Sequence, residues 1–162
     1  MLQAWTKKLS NFNLRESKIV DADISESATI VQPVNIYGCK ISKNVFIGPF
    51  VEIQKNVFIG SDSRIQSHSF ICEFVTIGKG CFVGHGVMFI NDKFSIGRPA
   101  RGDSSLWKDT RIADNVYVGS NATILPVSIC ENVVIGAGSV VTKDIVKPGI
   151  YAGNPASFLK EI

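Results

Sequence analysis

Charge, long apolar runs, paired cysteines and histidines are all scarce in this sequence, and each scarcity excludes something. The net charge is only +3 in 162 residues and is spread without a Lys/Arg run, so nothing argues for a nucleic-acid partner. No apolar stretch approaches the ~20 residues of a membrane span. The first residues, "MLQAWTKKLSNFNLRES", lack the apolar core of a signal peptide, and the expectation is a cytoplasmic protein. The four cysteines, Cys39, Cys72, Cys81 and Cys130, show no CxxC spacing and sit inside the apolar pattern or at turns. They read as buried or half-buried free thiols. The two histidines, His68 and His85, are fewer than an all-histidine catalytic zinc centre uses, so no metal is expected.

What is abundant is order. Hydrophobic residues make up 45% and charged residues 19% of the chain, the balance of a globular domain. From Ile41 an apolar anchor recurs at every sixth position through Ile47, Ile53, Ile59, Ile65, Ile71, Ile77 and Val83 to Phe89. It resumes at Ile112, Val118 and Ile124, then Ile129, Ile135 and Val141 after one five-residue step, with weaker matches upstream at Ile24, Ile30 and Ile36. Four residues after each anchor comes Val or a small residue, as in Val45, Val51, Ser63, Ser69 and Cys81. A helix would space its apolar positions by three and four, and a simple strand by two. A period of six means a short strand and a tight corner, repeated. Three positions after the anchor stands Asn, Asp or Gly in many hexads (Asn44, Asn56, Asp62, Gly80, Asn115), residue types that tolerate the left-handed backbone of a corner. Three hexads form a triangular coil of about eighteen residues. Successive coils stack at ~4.8 Å, with the anchors inward as ladders.

The register then makes predictions. Ile53, Ile71 and Phe89 share one side, which stacks Lys55, Glu73 and Asn91 at its corner with Asp92 beside them. Ile47, Ile65 and Val83 share another, whose corner carries Ser67, His68 and His85. From Asp92 to Thr110 the period fails. A loop of that length is often functional, and this one holds Arg98, Arg101 and Trp107, groups suited to phosphate pairing and stacking.

This pattern resembles the left-handed parallel β-helix of the hexapeptide-repeat acyltransferases. The segments "IQSHSFICEFVTIGKGCFVGHGVMFINDKF", "RPARGD…LW" and "SNATILPVSICENVVIGAGSVVTKDIVKPGIYAGNPA" are most similar to the sugar-nucleotide N-acetyltransferases that act on a 3-amino deoxysugar linked to dTDP or UDP. The resemblance covers residue 18 to the end; residues 1–17 form an extension without an assigned role. It implies an all-β fold, a homotrimer with clefts between neighbouring β-helices, acetyl-CoA as co-substrate, a nucleotide-linked amino sugar as acceptor, and a place in surface-glycan synthesis. On that reading Asn91 and Asp92 position the amino sugar, and Glu73 adds hydrogen bonding or charge at the same corner. His85 is the candidate general base, or else a corner histidine that bonds the neighbouring coil or subunit. His68 contacts substrate or is likewise structural. Arg98, Arg101 and Trp107 meet the nucleotide, or they pin the loop or a subunit interface. Gly119, Ser120, Ala137 and Gly138 leave room for pantetheine or simply serve the turns, and Lys143 pairs with a CoA phosphate. The competing readings are an acetyltransferase on a sugar hydroxyl or 4-amino sugar, a metal hydratase on the same fold, and a β-helix without catalysis.

Overall fold

A computed structural model of the chain describes residues 16–162. Residues 1–15, most of the N-terminal extension, lie outside the described residues. The first strand begins at Ile19, and from there the chain winds as a triangular parallel β-helix with faces of seven, six and eight strands among the described residues. Its hand is that of the left-handed hexapeptide-repeat fold.

Face A carries Asn35–Tyr37, Glu52–Ile53, Phe70–Ile71, Met88–Phe89, Thr123–Ile124 and Val140–Val141 above a first strand, Ile19–Val20. Face B runs from Asp23–Ile24 to Ser128–Ile129, and face C from Thr29–Ile30 to the C-terminal hairpin. Every turn passes A, B, C in that order, so the molecule has three edges: A–B, B–C and C–A.

The ladders are those the period predicts. Ile36 pairs with Ile53 and Ile53 with Ile71 on face A; Ile59 pairs with Ile77 on face B and Ile47 with Ile65 on face C. The anchors Ile47, Ile53, Ile59, Ile65, Ile71 and Phe89 are all fully buried. Each such burial contributes roughly 1.5–3 kcal/mol, which holds together a chain with no α-helix among its described residues. The intervening small positions point inward too. Ser63 and Ser69 are buried, and each hydroxyl donates to the carbonyl of a glycine fifteen residues on, Gly78 and Gly84, at 2.9 and 2.8 Å. Cys39, Cys72 and Cys81 are buried and free, and Cys130 is half-buried.

The corner rule holds at Asn44, Asn56, Asp62, Asn115, Asn121 and Asn132, all with φ near +60°. It is broken at three equivalent positions. Phe50 (φ +60°), His68 (φ +64°) and Phe74 (φ +68°) place aromatic side chains where the backbone is left-handed, a conformation that costs such residues roughly 1–2 kcal/mol.

The periodic coil is interrupted once. On face A, Phe70 pairs with Met88 and Phe89 with Ile124 on the coil above, so the inserted loop leaves the ladder intact. Lys108 N–H donates to Asn91 C=O at 3.0 Å and closes the loop at its base. The loop contains a single 3-10 turn, Ser104–Leu106, whose entry is capped by the Asp103 carboxylate. At the C-terminus, Gly149–Gly153 joins face C in parallel and then pairs antiparallel with Ala156–Lys160. The short closing segment expected from the sequence is thus a hairpin, with Tyr151 edge-on to Phe158 at 5.4 Å.

Candidate functional site

The residues singled out from the sequence fall on two different edges. On the C–A edge, Ser67 and His85 occupy equivalent positions of successive coils. Ser67 Oγ lies 2.8 Å from His85 Nδ1. The His85 ring is exposed, and its backbone carbonyl accepts from Asn121 N–H at 2.8 Å. Above it the same edge continues through Ser120 to Gly138, whose N–H donates to Ser120 C=O at 2.9 Å. Ala137 and Gly138 are exposed, and among the described residues no atom beyond its chain neighbours lies within 4 Å of where a Gly138 side chain would begin. Gly119 differs. A Cβ there would meet Ala137 N at 2.5 Å and the backbone of Gly136 at 2.9 Å, so coil stacking itself demands glycine at this position. Beside Ser67 on the same coil, His68 stacks on Phe50 of the coil below, with ring centroids 4.8 Å apart and 27° between planes.

On the A–B edge, Asn91 stands over Glu73 as the register requires, and Asn91 Nδ2 donates to Glu73 C=O at 3.4 Å. Glu73 is buried, 7% exposed. Its Oε2 has no hydrogen-bond partner among the described residues and lies 3.7 Å from Lys55 Nζ. Its backbone N–H reaches Gln54 Oε1 at 3.3 Å, and Gln54 Nε2 donates to Glu52 Oε1 at 3.0 Å. Burial, followed by the carboxylates of Glu52 and Glu73, raises the Tyr37 phenol above its ordinary value, against an opposing hydrogen bond from Gln54. A buried carboxylate with a free oxygen is costly unless something cationic or hydrogen-donating completes it.

Asp92 is already occupied. Its Oδ1 accepts from Phe94 N–H at 2.9 Å and its Oδ2 from Ala100 N–H at 2.7 Å, which folds the first half of the loop back on its root. Trp107 is half-buried and tilted against Phe74 at 6.4 Å, so it ties the loop to the coil below. Arg98 and Arg101 are exposed on the loop's outer part. Lys143 follows Val140–Val141 on face A and so stands on the A–B edge, away from Gly119, Ser120, Ala137 and Gly138 with which the sequence reading grouped it.

Within one chain the structure therefore brings Glu73, Asn91, Asp92, Trp107 and the loop together, and separately His68, His85, Ser120, Ala137 and Gly138. The two groups sit at opposite edges of face A. The eighteen-residue register places Ser67 and Lys55 at these two corners without giving either a role, and sequence reasoning missed Tyr37 and Phe50 as site residues. Among the described residues no three metal-ligating side chains converge, and no helix is long and apolar enough to cross a membrane.

Two stretches match family models: residues 38–73 match the bacterial transferase hexapeptide (six repeats), and residues 110–143 match the hexapeptide repeat of succinyl-transferase. The bifunctional protein GlmU of Streptococcus uberis is 32% identical over 155 residues, which is 94% of this chain but 30% of GlmU. The chain thus spans about a third of the curated relatives it matches. The Vibrio cholerae hexapeptide-repeat acetyltransferase VCA0836, solved with acetyl-CoA, superposes with a TM-score of 0.62 at 23% identity, covering 73% of this chain and 68% of that one. AntD, an N-acyltransferase from Bacillus cereus solved as a point mutant with dTDP and coenzyme A, superposes with a TM-score of 0.55 at 24% identity, covering 88% of this chain and 83% of AntD. By its period, its coil register and these matches, the chain carries the repeats of the bacterial hexapeptide transferases over residues 38–73 and 110–143, on the fold of the hexapeptide-repeat transferases.

Proposed function

We propose that the protein is an acetyl-CoA-dependent N-acetyltransferase acting on the 3-amino group of a deoxysugar linked to dTDP or UDP, as a cytoplasmic step in building a surface glycan. The observation that carries this reading is the C–A edge. There an exposed imidazole, tied at Nδ1 to Ser67 Oγ at 2.8 Å, lies directly beneath the small corner residues Ser120, Ala137 and Gly138, which on this reading receive the pantetheine arm. The ligands named for AntD, dTDP and coenzyme A, and the acetyl-CoA of VCA0836 support it.

The chemistry asks for modest help. A neutral amine attacks the thioester carbonyl; the C–N bond forms, the C–S bond breaks, and CoA leaves as thiolate. The proton released from nitrogen passes to His85 Nε2 or to the departing thiolate. For Nε2 to accept it, the imidazole proton must sit on Nδ1, and Ser67 Oγ is the acceptor that holds it there. Glu73 and Asn91 supply a carboxylate and an amide to orient the acceptor amine, and Glu73 Oε2, ion-paired with Lys55 at 3.7 Å but without a hydrogen bond, has room to accept one from the amine or a sugar hydroxyl. Asp92 contributes by shaping the loop behind them.

Because His85 and Asn91 stand on different edges of one chain, a complete site takes the C–A edge of one copy and the A–B edge of another. A closed homotrimer supplies three such clefts. The test is thiol release from acetyl-CoA against a panel of 3-amino and 4-amino sugar nucleotides. Release with a 3-amino substrate alone is expected; no release with any of them would sink the reading.

A further inference from the structure

Three corners of the coil carry an aromatic residue at the left-handed position three residues past the anchor: Phe50, His68 and Phe74. Asn, Asp and Gly fill most of the others, and for them that backbone is nearly free of strain. Phe74 is half-buried and covered by Trp107. Phe50 and His68, on successive coils, have no such cover among the described residues: Phe50 is 57% exposed and His68 is exposed as well. What they gain is each other. Their rings stack at 4.8 Å and 27°, matching the coil spacing of about 4.8 Å, and form a short aromatic surface standing out from the C–A edge. Phe50 also walls a depression of about 250 Å³ shared with Pro33, Asn35 and Glu52. Strain held in an exposed aromatic pair at one edge of a candidate site points to a ligand for that pair.

We propose that Phe50 and His68 form a stacking platform for a nucleobase, and that the base belongs to the nucleoside diphosphate carrying the acceptor sugar. This rests on the nucleotide-linked acceptor reading above. The position decides which nucleotide is meant. The open corners that suit pantetheine, Ser120, Ala137 and Gly138, lie on the coils above His85, whereas Phe50 and His68 lie on the coils below it. An acyl donor entering from above and a nucleotide entering from below meet at His85. Stacking on an aromatic side chain is indifferent to base identity, so Asn35, beside Phe50, is the group placed to read the base edge.

Phe50→Asn and His68→Asn remove the rings while installing a residue that favours the left-handed corner, so both variants are expected to melt at or above the temperature of the parent protein. The probes are dTDP, UDP and coenzyme A, titrated separately by calorimetry against the full chain, with oligomeric state followed by sedimentation. Each variant should weaken dTDP or UDP binding roughly tenfold, leave coenzyme A binding unchanged, and keep the parent's oligomeric state. In the parent, the base protons of the bound nucleotide should move upfield in the NMR spectrum. Unchanged nucleoside diphosphate affinity in both variants overturns the platform while leaving the acceptor reading in place. A loss confined to coenzyme A assigns the rings to the adenine of the donor and overturns it too. Dissociation of the oligomer makes the pair a subunit contact and overturns the platform as well. A parent protein that binds coenzyme A but neither nucleoside diphosphate overturns the acceptor reading itself.

Discussion

Ser67 Oγ and His85 Nδ1 meet at 2.8 Å across two successive coils, and this contact orients the imidazole. With Nδ1–H donating to the serine, Nε2 keeps its lone pair for an incoming proton. His85→Ala should lower turnover by about 10²–10⁴-fold if Nε2 takes the amine proton. Ser67→Ala should lower it less, and Ser67→Thr should restore it. The ¹⁵N resonances of His85 provide a check without catalysis: the parent should show the Nδ1–H form, and Ser67→Ala a mixture. A parent imidazole protonated at Nε2 would contradict the assignment.

Asn91 and Glu73 share the A–B edge, and their substitution should separate binding from folding. Asn91→Ala is expected to reduce turnover about tenfold to a hundredfold while the oligomeric state and acetyl-CoA affinity stay as they were. Glu73→Gln keeps shape and removes the charge, and should raise KM for the amino sugar more than it changes kcat. Steady-state kinetics with the acceptor varied distinguish the two, and unchanged turnover in Asn91→Ala would remove that residue from the mechanism.

Asp92 holds two loop N–H groups, those of Phe94 and Ala100. Asp92→Ala leaves both without their acceptor, at a cost of about 1–3 kcal/mol for each that stays unsatisfied. The loss is local to the loop. Limited proteolysis should cut between residues 93 and 109 much faster in the variant, with the melting temperature of the coil little changed. A global fall in stability would show that the loop is part of the cooperative core.

Burial pushes the Cys39 thiol up to about 11 and the Cys72 thiol up to about 12, from an ordinary value of 9.0. In the unfolded chain both ionise near the ordinary value, while in the folded chain they stay neutral. Their contribution to stability is therefore fully present below pH 9.0 and is lost as pH rises toward 11 and 12. The fall should approach about 1.4 kcal/mol per pH unit for each thiol. Denaturant titrations at about pH 8 and about pH 10.5 measure it, and Cys72→Ala should flatten the decline. An equally steep decline in that variant would place its cause elsewhere.

Ile71 is fully buried between Ile53 and the coil above. Ile71→Ala should cost about 2–5 kcal/mol, measured by equilibrium unfolding. A cost under about 1 kcal/mol would mean that the ladder relaxes around the cavity.

The period of six determined most of the architecture. An inward anchor every sixth residue means short strands and tight corners stacked as coils, so the three faces, the ladders through Ile53, Ile71 and Phe89, and the stacking of Asn91 on Glu73 follow from the period, while the hand of the coil came from the family resemblance. So do the free thiols and the site of the inserted loop. Three things were decided only in three dimensions. A carboxylate's partners depend on how a non-periodic loop folds, so nothing in the spacing showed that both oxygens of Asp92 are spent on backbone N–H groups. Spacing does not report how closely two coils approach either, and only the packed structure shows Gly119 serving the Ala137 backbone. Nor does a corner's position in the repeat report which way its side chain leans. The Phe50–His68 stack and the Ser67–His85 hydrogen bond depend on which rotamer each corner side chain adopts across coils about 4.8 Å apart, and the period sets the register of those residues but not their rotamers.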